Sequence, residues 1–463
     1  MAEVLAKVAT LAWTIAAARM LTLGDFGSLT YAISVVLLAS AIPTWGLDSV
    51  LMRRGSADPS QLPRLHSEVL AWKSVLALPT FAIVALMASV TRPTSEATIV
   101  FILVVVSAFP ELWSTTARAS AAAWQRPAGV SVALVLQRLA TAVAVMVALV
   151  AGTGVIGVAA AYLVGTIIGW IGHVRAVSHL DLHFGWRSLR RDGLRRMLSG
   201  TMIVGLSAVV LVVLFRVDTV ILAALDGDEA VATYAVAYRL METVLFVSWA
   251  INQSIFPVMS AKASTQRITR AYEQGLALVG FVYLPFATVC FLEGSRIIGL
   301  LFGGIYATRS APILWWLAPT PLLFAAALFG TSVLMSRGRA GGMLGGALAA
   351  TVVNVALNFT LIPAYSGLGA AVATTSSYAV YVVIVQIALR RSGVFVRLLR
   401  PLAEVVVSSC ALAAALLILD LALLAELAVG GVFYLGTWLF LARWFAPDQV
   451  DVAKRLLSRG DRS

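Results

Sequence analysis

The stretch Gly24-Asp25-Phe26-Gly27-Ser28-Leu29-Thr30-Tyr31-Ala32 decides the fold, because the chain contains it twice. The second copy is Gly227-Asp228-Glu229-Ala230-Val231-Ala232-Thr233-Tyr234-Ala235, which agrees at five of the nine positions without a gap. A second pair of small-residue segments recurs in the same order, with Ala128-Gly129 and 157–161 matched by Ala340-Gly341 and 369–373. Repeats of this kind are common in membrane transporters, whose substrate sites lie at the repeat interface.

Long apolar runs surround both copies of the repeat. The hydrophobic residue types make up 60% of the 463 residues, and only 12% are charged, whereas about a quarter of a soluble chain is charged. A membrane-spanning helix needs about 20 mostly apolar residues. Fourteen such runs are predicted, near 3–22, 27–52, 66–90, 97–122, 127–150, 153–175, 197–224, 229–258, 272–292, 311–335, 340–362, 367–389, 398–419 and 422–445. The sequence therefore predicts an all-α polytopic membrane protein of about fourteen spans in the plasma membrane.

The basic residues indicate how the chain is oriented. If the N-terminus is cytoplasmic, 26 of the 34 Lys and Arg residues fall in inside segments and three, Arg92, Arg296 and Arg309, in outside loops. Cytoplasmic loops of membrane proteins carry this excess of positive charge. We therefore expect both termini to be cytoplasmic, and the net charge of +12 is a topology signal that argues against nucleic acid as a partner.

The repeat and the spans predict the domain organisation. Residues 1–177 form an N-lobe of six spans, 178–196 a basic cytoplasmic linker and 197–390 a C-lobe of six spans. Residues 391–446 form an appended pair of spans, and 447–463 a cytoplasmic tail. An even number of spans separates equivalent points of the two copies, so the lobes are expected to be parallel repeats.

Cysteine and histidine chemistry is not indicated. Cys290 and Cys410 both lie in apolar runs, and the four histidines show no paired metal-ligand spacing on a helix. Two cysteines inside apolar runs argue against a disulfide framework, a structural zinc site and a thiol redox pair. We expect no cofactor and no metal.

Several short motifs carry a family resemblance. Ala18-Arg19-Met20-Leu21 followed by Gly24-Asp25-Phe26-Gly27 resembles the first hairpin of polysaccharide flippases in the multidrug/oligosaccharidyl-lipid/polysaccharide exporter superfamily. Further matching segments are 216–222, 234–240, 255–257, 362–363 and 369–374. The resemblance implies two six-helix lobes in a V around a central cavity, and export of lipid-linked sugar units by alternating access.

Four arginines inside the spans are the candidate binding residues. A charge near the bilayer centre costs about 2.5–3.5 kcal/mol on insertion scales and usually faces an interior cavity. Arg138 and Arg239 are predicted about 15 Å deep from the rise of a helix, while Arg216 and Arg19 are shallower. Guanidinium groups stay charged and suit the oxygens of a polyprenyl pyrophosphate. Two of them also have a structural interpretation: Arg19 can extend to the interface, and Arg239 can pair with Glu242 one turn away.

Three acidic residues in the spans are candidates for ion coupling or for structural pairing. Glu111 could carry a proton in an exchange cycle or pair with Lys73 or Arg118. Asp218 stands where the resembled family has an aspartate and is expected to brace a neighbouring helix. Glu242 could likewise take part in ion coupling, or it could simply pair with Arg239 one turn away. These alternatives stay open at the level of sequence.

The leading functional hypothesis is a flippase for a polyprenyl-(pyro)phosphate-linked oligosaccharide, acting as a monomer with membrane lipids around it. Glycan polymerases or glycosyltransferases of the same pathway would be its partners. A drug or cation antiporter of the same superfamily is the first alternative, although such a cavity would need acidic or aromatic walls. The second is a membrane glycosyltransferase or polymerase, suggested by Asp226-Gly227-Asp228-Glu229, which resembles a metal-binding motif but sits in a short turn.

Overall fold

The computed structural model describes residues 2–91, 94–178, 202–259, 263–419 and 421–445, and every regular element among them is helical. The segment before the predicted linker contains α1 (Ala2–Met20), α2 (Leu23–Thr44), α3 (Leu47–Ala57), α4 (Leu62–Thr91), α5 (Ser95–Ala123), α6 (Ala128–Val150) and α7 (Gly154–Val177). The predicted linker, 178–196, lies outside the described residues except for Ser178, and the predicted tail, 447–463, lies outside them entirely.

The remaining described helices follow in chain order. They are α8 (Met202–Asp226), α9 (Asp228–Val244), α10 (Phe246–Ile255), α11 (Thr265–Phe302), α12 (Gly304–Leu317), α13 (Thr320–Ser336), α14 (Ala340–Arg391), α15 (Ala403–Ile418) and α16 (Leu423–Phe445). Short 3₁₀ turns at Pro59–Gln61 and Arg400–Leu402 lead into α4 and α15.

The predicted membrane fold is confirmed. Twelve helical segments in the described residues are long and apolar enough to cross a membrane. One of them, which corresponds to α14, is interrupted at Ser366 (φ 53°, ψ −137°), where the two spans predicted near 340–362 and 367–389 meet. Counting its halves separately and adding the 19-residue α1 gives the fourteen predicted spans.

The break in α14 explains one glycine of the repeated motifs. A Cβ at Gly369 would lie 2.5 Å from the carbonyl oxygen of Leu361, because the chain folds back on itself at Ser366. Only a residue without a side chain allows so close an approach of two backbone segments. The turn between the two spans therefore requires a glycine at position 369.

The chain divides into two compact units, Met1–Arg239 with Ala347–Thr374, and Leu240–Gly346 with Thr375–Ser463. These boundaries differ from the predicted lobe boundaries, since the first unit extends past the N-lobe through α8 into α9. The division into six-helix lobes stays a prediction.

In the first unit, polar side chains of α6 pack against glycines of α7. A Cβ at Gly165 would lie 2.0 Å from Thr141 Oγ1, and one at Gly169 would lie 2.4 Å from Gln137 Cδ. Small residues let membrane helices approach closely, and interhelical polar contacts then form in place of side-chain packing. The close approach brings Gln137, which is fully buried, into the interior of the unit.

In the second unit, the hairpin of α15 and α16 packs on α11. Tyr434 donates a 2.7 Å hydrogen bond to the Phe281 carbonyl, and the Phe281 and Trp438 rings lie 4.7 Å apart. At the other end of α16, Arg296 Nη1 donates to Glu426 at 2.6 Å and to Glu293 at 2.9 Å. Both carboxylates are almost completely buried. The appended pair of spans is thus attached to α11 by an apolar cluster and by an ionic clamp.

Candidate functional site

The intramembrane charges of the first unit converge on Glu111, near the middle of α5. Arg118 Nη2 donates to Glu111 Oε1 at 3.2 Å, and Gln137 Nε2 donates to Glu111 Oε2 at 2.7 Å. Arg138 Nη2 lies 3.9 Å from the same Oε1. A single carboxylate therefore faces two permanent cations, so the cluster keeps an excess of positive charge.

Arg138 has a looser contact with Glu111 than Arg118 has. Its side chain is about one quarter exposed, and its distance of 3.9 Å from Glu111 is too long for a hydrogen bond. The charges of Arg138 and Arg239 both act on the hydroxyl of Tyr162 on α7. Two of the four predicted arginines, Arg138 and Arg239, thus act electrostatically on one tyrosine.

The other two predicted arginines lie elsewhere. Arg216 stacks its guanidinium over the Tyr238 ring, with Cζ 5.4 Å from the ring centroid, a favourable cation–π geometry. Arg19 is exposed in the last turn of α1. Their assignment to a common binding surface with Arg138 stays a prediction.

Asp218 forms a saturated network that connects three helices of the first unit. Its carboxylate is fully buried; Oδ1 accepts from the Thr219 backbone N–H at 2.7 Å, and Oδ2 accepts from Thr374 Oγ1 at 3.0 Å. The hydroxyl of Tyr234 also donates to Oδ2. Tyr234 belongs to the second copy of the repeat, and Thr374 follows the 369–373 segment. The motifs that carried the family resemblance therefore meet at this carboxylate.

A second buried network surrounds Lys73, the other residue that the sequence offered as a partner of Glu111. Lys73 Nζ, fully buried, lies 2.8 Å and 3.0 Å from the two oxygens of Asp48 and 3.0 Å from the Leu112 carbonyl. The hydroxyls of Thr115 and Thr116 lie within 2.9 Å. An ammonium has three donors, so these partners occupy it fully. Lys73 connects α3, α4 and α5 and has no donor left for a ligand.

Glu242, the remaining candidate, belongs to the second unit although it lies on the same helix as Arg239. Sequence reasoning did not single out Gln137 or Tyr162, and it left Arg118 open as one of two possible partners of Glu111. No acidic residue lies one turn from Arg138 in the sequence, yet Glu111 approaches it from a different helix. Pairing between helices leaves no signal in helical spacing, and for this reason the sequence showed the charges without their arrangement.

Comparison with known proteins identifies the family. The family described as polysaccharide biosynthesis protein matches residues 1–262, more than half of the chain. The chain belongs to this family. Curated proteins gave no significant match in sequence.

Solved structures similar to this polysaccharide biosynthesis protein share its fold. One is described as lipid II flippase MurJ in an inward closed conformation, with a TM-score of 0.79 and 12% identity over 96% of this chain and 98% of that one. An inward-facing multidrug resistance MATE family transporter of the MOP superfamily gives a TM-score of 0.68 and 15% identity, covering 84% and 94%. A MOP superfamily transporter from Pyrococcus furiosus gives 0.57 and 13%, covering 84% and 98%. The fold is that of the exporter superfamily which the sequence motifs resemble.

Proposed function

We propose that this member of the polysaccharide biosynthesis protein family is a flippase that moves a polyprenyl-(pyro)phosphate-linked oligosaccharide from the cytoplasmic to the outer leaflet by alternating access. The proposal is supported by the family match and by the likeness of the fold to a lipid II flippase. It depends on one observation above all, namely the excess of permanent cations around Glu111, near the middle of α5.

The charges of the cluster suit an anionic cargo. Arg118 and Arg138 together carry one more positive charge than Glu111 neutralises, and Arg239 adds to the field at Tyr162. Guanidinium groups bind phosphate oxygens with two parallel hydrogen bonds and do not lose their protons when desolvated. In this proposal Arg138 contacts the phosphate directly, while Arg118 is held by Glu111.

The two parts of the cargo would take different paths. The sugar and phosphate head would cross beside the arginines, and the prenyl tail would stay in lipid. No bond of the cargo is made or broken, so the protein acts as a transporter and not as an enzyme. It would function as a monomer that receives its substrate from glycosyltransferases of the same pathway.

The test is transport by protein reconstituted in vesicles. We expect wild-type protein to flip a fluorescent polyprenyl-pyrophosphate glycan, Arg138→Ala to reduce the rate at least tenfold, and Arg138→Lys to retain an intermediate rate. Arg390→Ala, which removes an exposed arginine at the end of α14, is the matched control and should transport normally.

Membrane potential provides an independent readout. Outward movement of an anion is favoured by about 2.3 kcal/mol per charge per 100 mV, inside negative. The rate should therefore rise when this potential is imposed. Transport of an organic cation in place of the glycan would support the antiporter alternative, and new glycosidic bonds formed with a divalent metal would support the glycosyltransferase.

A further inference from the structure

Three buried polar atoms of residues in or next to the Glu111 cluster have no hydrogen-bond partner among the residues that the structure describes. They are Arg118 Nη1 on α5, Gln137 Oε1 on α6 and His173 Nε2 on α7. The side chains of Gln137 and His173 are completely buried. An unsatisfied buried polar atom costs about 1–3 kcal/mol, so three of them at one place call for an occupant.

Shared contacts connect the three side chains: Arg118 and Gln137 each donate to one oxygen of Glu111, and Gln137 and His173 both contact Gly169. Gly169 connects two of them: its carbonyl is 2.6 Å from His173 Nδ1, and the Gln137 amide fills the place where its Cβ would be. Arg118 approaches from α5 and acts electrostatically on His173. One helical turn farther along, Ala117 and Ala121 of α5 pack with Val177 of α7, which fixes the heights of α5 and α7 relative to each other.

The chemistry of the three atoms selects the occupant. A carbonyl can only accept, so His173 Nδ1 carries the proton that bonds to Gly169, and Nε2 is an acceptor. Gln137 Oε1 is also an acceptor, because the amide nitrogen donates to Glu111. Arg118 Nη1 is a donor. The site thus presents two acceptors and one donor.

We propose that Arg118, Gln137 and His173 bind one buried water molecule. Water has two hydrogens for the two acceptors and a lone pair for the guanidinium, and buried waters in proteins make about three hydrogen bonds of this kind. A chloride ion would be held by one donor, Arg118 Nη1, and repelled by the two acceptors. A cation would be repelled by the Arg118 guanidinium. Water is the small species whose hydrogen bonds match all three atoms.

The water gives Arg118 a second fixed contact. Nη2 of Arg118 bonds to Glu111, and the water holds Nη1 between α6 and α7. The Arg118 guanidinium then stays hydrogen-bonded to Glu111, and Arg138 stays 3.9 Å from the same carboxylate. Gln137 and His173 are therefore positioning residues for the charge cluster, whatever cargo the protein carries.

The experiment is a high-resolution structure of the full chain in lipid nanodiscs, at a resolution at which buried waters are visible. We expect one density peak within about 3.2 Å of all three atoms, a hydrogen-bonding distance. The peak should be the same in chloride and in bromide. A peak that changes with the halide, or no peak while other buried waters are seen, would overturn the proposal.

Two variants test the role of the acceptor. His173→Phe keeps the ring but removes Nε2, so the peak should disappear and the Arg118–Glu111 contact should lengthen beyond 3.5 Å, about the limit for a hydrogen bond. His173→Gln supplies a new acceptor, so both the water peak and the Arg118–Glu111 contact should be retained. A peak that persists in His173→Phe would show that His173 does not bind the water. If that variant fails to fold, the wild-type density in the two halides still decides the question.

Discussion

Gly27 of the first repeat copy packs directly against the backbone of Asp228 in the second copy. A Cβ on Gly27 would lie 1.8 Å from the Asp228 carbonyl oxygen. At the opposite end of α2, a Cβ on Gly205 of α8 would lie 2.7 Å from the Trp45 carbonyl oxygen. Helix α2 therefore touches the start of α9 at one end and α8 at the other, in both places through a glycine.

Substitution of Gly27 should separate these backbones. Because the obstacle is a peptide carbonyl and not a flexible side chain, Gly27→Ala must displace α2 or α9, and overpacking of this kind costs about 1–3 kcal/mol. We expect a lower midpoint of thermal unfolding in detergent. Gly24→Ala on the same helix is the control, since a Cβ there meets nothing within 4 Å. Equal midpoints for the two variants would contradict the close contact.

Lys73 and Asp48 should be strongly coupled in stability. Loss of one member of a buried ion pair costs about 3–5 kcal/mol, because the other charge stays buried without compensation. We expect Lys73→Ala to lower the thermal midpoint more than the double variant with Asp48→Ala. Lys7→Ala, at an exposed lysine of α1, should leave the midpoint unchanged.

A double-mutant cycle measures this coupling. Additive effects of Lys73→Ala and Asp48→Ala would show that the two side chains do not interact, whatever the size of each single effect. Such a result would also remove the connection among α3, α4 and α5 described above.

Tyr234→Phe tests the network around Asp218. The substitution keeps the ring but removes one of the two hydroxyls that donate to Oδ2 of the buried carboxylate, and the loss of a hydrogen-bond donor to a buried charge costs about 1–3 kcal/mol. The free energy of unfolding in denaturant should fall by this amount. Tyr365→Phe, at an exposed tyrosine, is the control, and a similar small effect of both variants would argue against the network.

Arg296→Met should loosen the appended pair of spans. Without the guanidinium, the carboxylates of Glu293 and Glu426 stay buried next to each other, and like charges in a low-dielectric interior repel. We expect faster hydrogen–deuterium exchange at the start of α16 and little change in α6, which belongs to the other unit. Unchanged exchange in α16 would show that the apolar cluster around Trp438 is sufficient by itself.

The motifs of the sequence could be assigned a physical reason only from the structure. Gly27 and Gly369 are required by close backbone approaches, and Tyr234 and Thr374 are required by the charge of Asp218. The bracing role that the sequence predicted for Asp218 stays a prediction, and its hydrogen bonds connect α8 with Tyr234 of α9 and Thr374 of α14. The binding roles of Arg19, Arg138, Arg216 and Arg239 also stay predictions, and the charges of Arg138 and Arg239 act on the same tyrosine.

The sequence by itself determined the class of the protein, its spans and its repeated motifs. Hydrophobic segments of membrane length are local, and the cost of placing polar backbone in lipid leaves a helix as the outcome for each of them. The partner of each intramembrane charge was decided only by the tertiary structure. Glu111, Arg118 and Arg138 lie on two helices, and which helices pack together depends on glycines and side-chain shapes along their whole length. The sequence shows that a span contains a charged residue, but which residue neutralises that charge depends on how the helices pack.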